Sequence, residues 1–239
     1  FLKDFKMYIN NPNIILPDDD TIIVWKYLDL SKFLDMLMSK RLFMSRSDKF
    51  EDQYEGTFSE PTYEEIKKIA ANNPKFLDYY KTHRENVVIS SWHINEYESF
   101  AMWQIFTKNN EGLAIQSTVG RLKKALETER KTEQHIGQVN YIDYKKELIP
   151  FEDTFFPFLF KRKSFQYERE VRIISDVSSE NLKINDGLKI DVDINQLIER
   201  IYIHPKSENW YKNLVIELVE KLGFDFTIEK SDLESDILI

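Results

Sequence analysis

The sequence predicts an α+β domain, a mixed or mostly antiparallel twisted sheet with helices packed around it. Three observations support this. Short β-branched and aromatic runs recur along the chain, and helical spacings fall between them. The two kinds of segment follow one another without the regular strand–helix–strand rhythm of a parallel sheet. The 239 residues are 42% hydrophobic and 14% aromatic, enough to fill a core, while only 6 Gly and 7 Pro disfavour collagen-like chains, Gly-rich linkers and a turn-dense β-sandwich. With no internal repeat and no long linker, the expected organisation is an N-terminal arm over 1–20, a single domain over 21–230 and an acidic tail over 231–239.

Residues 21–28, TIIVWKYL, are β-branched and aromatic and read as a strand. Leu30, Phe33, Leu34 and Leu37 follow at helical spacing, with Asp29 or Ser31 as the cap. Residues 42–45 form a short extended piece leading into a polar loop over 46–56. Thr62 with Glu65 makes a capping box, which places a helix over 63–71, and Pro74 opens another that ends near His83. Residues 87–92 are a buried-looking strand, 98–106 a helix with Trp103 inward, and 112–116 a strand. Thr118 caps a helix reaching about Glu129. Further strands are expected over 137–144, 170–175, 188–192 and 200–204. Ser207 starts a helix with Trp210, Leu214, Leu218 and Leu222 as its apolar stripe and Gly223 beyond its end, and 224–228 closes the set as a strand.

Charge and composition exclude several functions. Lys+Arg 33 against Asp+Glu 41 leaves a net charge of −8, which argues against broad, nonspecific nucleic-acid binding. The absence of cysteine excludes disulfides, thiolate metal sites and cysteine nucleophiles, and fits a reducing cytoplasm. No apolar run reaches the roughly 18 residues of a membrane span, so no membrane partner is expected. The four His (83, 93, 135 and 204) are scattered without zinc spacing, and neither a phosphate-binding G-x-x-x-x-G-K-[ST] loop nor a G-x-G-x-x-G fingerprint occurs. Asp48, Glu51, Asp52 and Glu55 offer oxygen ligands suited to Mg²⁺ or Ca²⁺. They lack the order of an EF-hand loop, and turn chemistry by Asp48 and Asp52 accounts for them better, so no metal site is assigned.

The chemistry-bearing stretch is 161–174, KRKSFQYEREVRII. A strand from Tyr167 places Glu168, Glu170 and Arg172 on one face, with neighbours roughly 6.5–7 Å apart. Two glutamates so placed crowd each other, and one holds its proton more tightly unless a cation intervenes. Such pairs serve acid–base work or stabilise a ribosyl or glycosyl cation. Glu170 and Glu168 are therefore the catalytic candidates, with Arg172 beside them as a substrate-binding residue; the same residues equally describe a structural ion network. Ser90, Ser91 and Trp92 end a hydrophobic strand, and neither serine lies in a G-x-S-x-G elbow. Lys161, Arg162 and Lys163 next to Phe160 and Phe165 put basic and aromatic groups together, as single-strand readers do.

Several of these segments resemble a bacterial family known as a domain of unknown function, number 2971. The likeness is carried by Lys26-Tyr27 after an early strand, by the LFMS piece at 42–45, and by F-E-D-Q-Y-E-G at 50–56 where the family has F-N-D-P-F/Y-E-G. Ser90-Ser91-Trp92, Met102-Trp103, the G-x-x-I at 112–115, and Lys163 with Glu168-x-Glu170-x-Arg172 extend it over roughly 22–204. The resemblance implies a bacterial, cytoplasmic protein and brings no established activity. The early strand, the serine strand and the late E-x-E are also similar to ADP-ribosyltransferases, a likeness that implies NAD as substrate. Ser90 and Ser91 would then hold the nicotinamide ribose, Glu170 would stabilise the ribosyl cation, and Glu168 would activate the acceptor. The first strand offers Lys26 and Tyr27 where that family has Arg or His, which leaves Arg46 or Lys163 for the phosphates. Trp92 or Trp103 would stack on the base. The expectation is an enzyme on a nucleotide-type or other small-molecule ligand; the alternatives are a nucleic-acid- or protein-binding module and a structural or regulatory domain. No pattern in the chain selects an oligomeric state.

Overall fold

The structure, a computed structural model, describes residues 8–71, 75–107, 109–129, 131–179 and 184–234. Residues 1–7 of the expected arm and 235–239 of the expected tail lie outside these, as does Pro74. The fold is α+β, and antiparallel pairings predominate. Two compact units are built, each from three stretches of chain. The first takes Phe1–Leu16, Phe43–Ser91 and Glu129–Ile190; the second takes Pro17–Leu42, Trp92–Thr128 and Asp191–Ile239. The chain passes between them five times. No linker marks a division, so composition read along the sequence has no boundary to detect.

Strand β1 (Ile23–Asp29) and helix α1 (Leu30–Ser39) lie where the alternation and the helical spacing place them, with Phe33, Met36 and Leu37 buried. Strand β2 (Arg41–Arg46) follows. Helix α2 (Glu60–Ala70) starts earlier than the capping box suggests: Ser59 is its N-cap residue and Pro61 falls in the first turn, where a missing N–H is harmless. Thr62 is no cap. Its buried hydroxyl accepts from the Ile149 N–H (2.7 Å) and donates to the Ile149 carbonyl (2.9 Å). Helix α3 (Lys75–Asn86) leads into β3 (Val87–Ile94). Ser99 caps α4 (Phe100–Phe106), and Thr118, at the end of β4 (Gly112–Thr118), caps α5 (Val119–Ala125).

The strand expected over 137–144 is two, β5 (His135–Gln138) and β6 (Asn140–Ile142). Then come β7 (Phe160–Arg162), β8 (Glu170–Asp176), β9 (Gly187–Asp191), the short helix α6 (Ile194–Leu197) and β10 (Arg200–Ile203). Helix α7 (Asn209–Lys221) and β11 (Thr227–Lys230) complete the order. The apolar stripe of α7 is shifted by one position from the expected one. Tyr211, Val215 and Val219 are buried, whereas Trp210 is 55% exposed and Leu214 is also exposed.

In the second unit β1 pairs antiparallel with β4 along its length, from Ile23↔Thr118 to Asp29↔Gly112. It also meets the end of β3 at Trp25↔His93. β10 adds antiparallel to β4, and β11 adds parallel to β10. Trp25, Tyr27, Met102, Trp103 and Ala114 form a core cluster there.

In the first unit β8 is central: it pairs with β5, placing Gly137 opposite Arg172, and with β3, which pairs with β2 at Ser45↔Ile89. β6 and β7 form a separate parallel ladder. The core joins Ile14, Val87, Ile89, Phe158, Leu159 and Ile174. Residues 8–16 of the expected arm are thus part of this unit, 17–20 belonging to the second, and the Ile15 carbonyl accepts from the Gln138 N–H (2.8 Å). Glycine at 137 permits that approach, because a Cβ there would lie 2.6 Å from Ile14.

Candidate functional site

Local backbone geometry corrects the sequence reading of the E-x-E stretch. Glu168 is not on a strand. Residues Lys163–Glu168 form a 3₁₀ turn, Arg169 follows at φ +43°, and β8 begins only at Glu170. A left-handed non-glycine residue costs on the order of 1 kcal/mol, so something must hold it there. The retaining contacts lie on either side of it. Both flanking glutamates bind the Lys161 ammonium, which accepts no bond and donates three: to Glu168, to Glu170 (2.9 Å) and to Glu55 (3.0 Å). The two carboxylates therefore converge on a cation rather than standing side by side along a strand.

Arg172 forms the other half of the cluster. Its Nε and Nη2 donate to Glu170 (2.8 and 3.1 Å), its Nη1 and Nη2 to Glu55 (2.8 and 2.9 Å), and Nη1 also to the Phe158 carbonyl (2.7 Å). All five guanidinium N–H groups are thereby used, on a side chain with 0% exposure. Two bidentate carboxylates on one guanidinium satisfy the rule that a buried charge survives only when fully paired. The loop that delivers Glu55 needs Gly56, at φ +69°, where a Cβ would lie 2.3 Å from the Phe158 ring. The Tyr141 hydroxyl accepts from the Glu170 N–H (2.9 Å), and the Tyr144 hydroxyl donates to the Phe160 carbonyl (2.9 Å).

Three carboxylates face two cations, so the cluster carries one excess negative charge unless a proton is held. Glu168 is the group that holds it. Burial, its hydrogen bond to Glu170 and the charge of Glu170 raise its pKa to about 8, against the opposing pull of Lys161. Burial pushes Glu170 the same way, but Arg172, Glu168 and Lys161 together outweigh it and hold that carboxyl well below the usual range. Burial works against the Lys161 ammonium, yet Glu170 and Glu55 keep it charged more firmly than a free lysine. Two adjacent carboxyls with proton affinities driven apart form the arrangement that supplies an acid and a base at one pH.

The first unit also holds the other predicted residues of its stretches. Arg46 is bidentate on Asp48 (2.9 and 2.8 Å) and donates to the Ile184 and Asn185 carbonyls. Ser90 is buried and Ser91 half-buried in β3, and Lys163 pairs with Glu147 (2.8 Å). The second unit holds Lys26, Tyr27, Trp92 and Trp103. There the Lys26 ammonium lies 5.4 Å over the Trp92 ring, and Tyr27, Trp92 and Trp103 are buried. A stacking role for Trp92 or Trp103 is corrected on that ground, since side chains with no exposed face cannot receive a base. Arg172 as a ligand-binding residue is corrected likewise, having no donor left to offer.

Glu55 and Lys161 are the members of the cluster that sequence reasoning did not place. Glu55 stood among oxygen ligands and Lys161 within a basic run, and the Glu-Gly pair at 55–56 was the available signal. Of the four loop acids, Asp48, Asp52 and Glu55 are each bound to an arginine. Among the described residues, no group of three or more His, Asp or Glu is arranged to hold a metal ion. No described helix is long and apolar enough to cross a membrane.

A family model described as a protein of unknown function (DUF2971) matches residues 102–173. The resemblance to that family thus holds over a stretch containing Met102-Trp103, the G-x-x-I, Lys163 and the E-x-E-x-R signature. No curated protein matches the chain. Among solved structures, the chain is similar to DarT of Thermus sp. 2.9 in complex with NAD⁺, at 6% identity and a TM-score of 0.40, over 89% of this chain and 96% of that one. At that score the likeness speaks to neither site nor ligand.

Proposed function

We propose that this protein is an enzyme acting on a nucleotide-type substrate, with Glu168 as the group that exchanges a proton. The cluster of Glu55, Lys161, Glu170 and Arg172 is the frame that sets its protonation. The observation behind this reading is the divergence of two carboxyls that share one ammonium, Glu168 pushed up to about 8 and Glu170 pushed down. Glu168 is also the member at the margin of the cluster, with its side chain 11% exposed against none for Arg172. Glu170, saturated by Arg172 and Lys161, keeps its charge and acts through Glu168. Within the substrate class, NAD is the specific candidate that the E-x-E resemblance implies.

The test is nicotinamide release from NAD by the purified protein, wild type beside Glu168→Gln, with thermal melts of both. Turnover is expected to fall by about 10²–10⁴-fold in a variant that melts at or above the wild-type temperature. A fully active Glu168→Gln protein would remove Glu168 from the chemistry. A structural reading has its own support, the completely satisfied and inaccessible Arg172. Under that reading the wild type turns over neither NAD nor mononucleotides, and Glu168→Gln changes only stability.

A further inference from the structure

We propose that a cleft in the first unit, separate from the carboxylate cluster, binds a mononucleotide: the base against Tyr54, the phosphate on Arg162 and Lys163, and the ribose hydroxyls near Glu60 and Asp143. The cleft has a volume of about 280 Å³ and is lined by these five residues together with Tyr144 and their neighbours. That is close to the lower end for small-molecule sites, the scale of one nucleotide rather than two. The inference does not depend on Glu168 performing chemistry.

Arg162 is the central observation. Successive residues of a strand point to opposite sides, so β7 sends Lys161 into the buried cluster and Arg162 to the cleft. The Arg162 Nε and Nη2 donate to Asp52 (3.2 and 2.7 Å), and its guanidinium lies 4.4 Å from the Tyr54 ring centroid and 5.3 Å from that of Phe165. One edge of the guanidinium is thus fixed by a carboxylate and the plane is held by aromatic rings. Its Nη1 has no protein acceptor among the described residues, and the side chain is 36% exposed. An arginine oriented in advance, with a donor edge to spare, is suited to a phosphate oxygen and loses little freedom in binding it.

The rest of the lining narrows the ligand. Among the described residues Lys163 is paired with Glu147, both side chains exposed, a contact that a phosphate displaces at small cost. A bare anion site would exclude carboxylates, yet Glu60 and Asp143 line this one; acceptors beside cations suit a ligand that carries hydroxyl donors as well as a phosphate. Tyr54, half exposed and edge-on to Tyr144 at 5.8 Å, supplies a ring for an aromatic base.

Titration calorimetry of the whole chain with AMP, adenosine and ribose 5-phosphate tests this. AMP should bind, with adenosine and ribose 5-phosphate each at least about tenfold weaker, the loss expected for one charge-assisted contact or one stacked ring. Arg162→Lys, which keeps a cation beside Asp52, and Tyr54→Leu should each weaken AMP by about tenfold with melting temperatures near wild type. Lys163→Gln, an exposed change, should weaken AMP and leave adenosine unaffected. Glu168→Gln should bind AMP as the wild type does, which separates this site from the proton-exchange proposal. Absence of AMP binding by the folded wild type overturns the inference, as does equal binding of AMP by wild type and by Arg162→Lys and Tyr54→Leu. Binding confined to single-stranded oligonucleotides, with none of AMP, overturns it too.

Discussion

Lys161 and Arg162 are neighbours on β7, and both reach back to the loop at 52–56 for a carboxylate, Glu55 for the first and Asp52 for the second. The two resulting clusters obey different physics. On the Lys161 side, five ionisable groups are removed from water, Glu168 holding a proton among them, and each donor of Lys161 and Arg172 is matched to an acceptor. On the Arg162 side the Asp52 carboxylate is buried while the guanidinium is 36% exposed and keeps a donor edge to spare, and further out at Lys163 and Glu147 solvent screens the pair. Enclosure makes a charge costly to disturb and shifts protons; exposure makes a charge cheap to redirect toward a ligand. The same loop and strand thereby supply a rigid frame on one side and an adaptable surface on the other.

The largest expected effect attacks the frame. Arg172→Gln removes four charge-assisted bonds to carboxylates and leaves Glu55 and Glu170 confronting each other around Lys161. Chemical denaturation should show a loss of about 3–5 kcal/mol. A loss under about 1 kcal/mol would erase the distinction between the two clusters.

A pH series sharpens it next. Glu168 binds its proton more tightly in the folded protein, raised from 4.5 to about 8, so between those values the folded state holds a proton that the unfolded state does not. Stability from this group is complete below about pH 4.5 and is lost as pH rises through about 8. Glu170 has the opposite sign: its contribution is present at neutral pH and is lost as pH falls through its depressed folded value. Glu168→Gln, which mimics the protonated form, should flatten the decline in melting temperature between pH 5 and 8. Parallel wild-type and variant curves would show that Glu168 carries no extra proton. The smallest effect belongs outside: Lys163→Gln breaks a pair 57% and 45% exposed and should change stability by no more than about 0.5 kcal/mol.

The same contrast explains what was legible in the sequence. Strands β1, β3, β4 and β8 announce themselves through β-branched runs, and α1 through its spacing, because their identity is decided locally. Helix α7 carries two apolar ridges, Trp210/Leu214/Leu218 and Tyr211/Val215/Val219, and periodicity alone cannot choose which one the unit buries. Thr62 looks like a cap until Ile149, distant in sequence, takes its hydroxyl. For the site, proximity of Glu168 to Glu170 was readable from two-residue spacing, but the 3₁₀ turn and Arg169 at φ +43° were not. Lys161 and Glu55 were hidden for a further reason: charged residues advertise polarity and not burial, and their partner lies far along the chain.

That separation has a consequence during synthesis. Glu55 and Arg172 are 117 residues apart, so at about 5–20 residues per second Glu55 is made roughly 6–23 s before its partner. From its own synthesis until that of β8, the apolar strand β3 lacks β8 beside it, presenting Val87 and Ile89 as an open edge. Until then the nascent first unit carries an unpaired apolar edge, the kind of surface that exposes a folding chain to misassociation. Completion of that strand supplies both the neighbour of β3 and the arginine that pairs with Glu55, so the open edge and the buried acid are satisfied by one and the same segment.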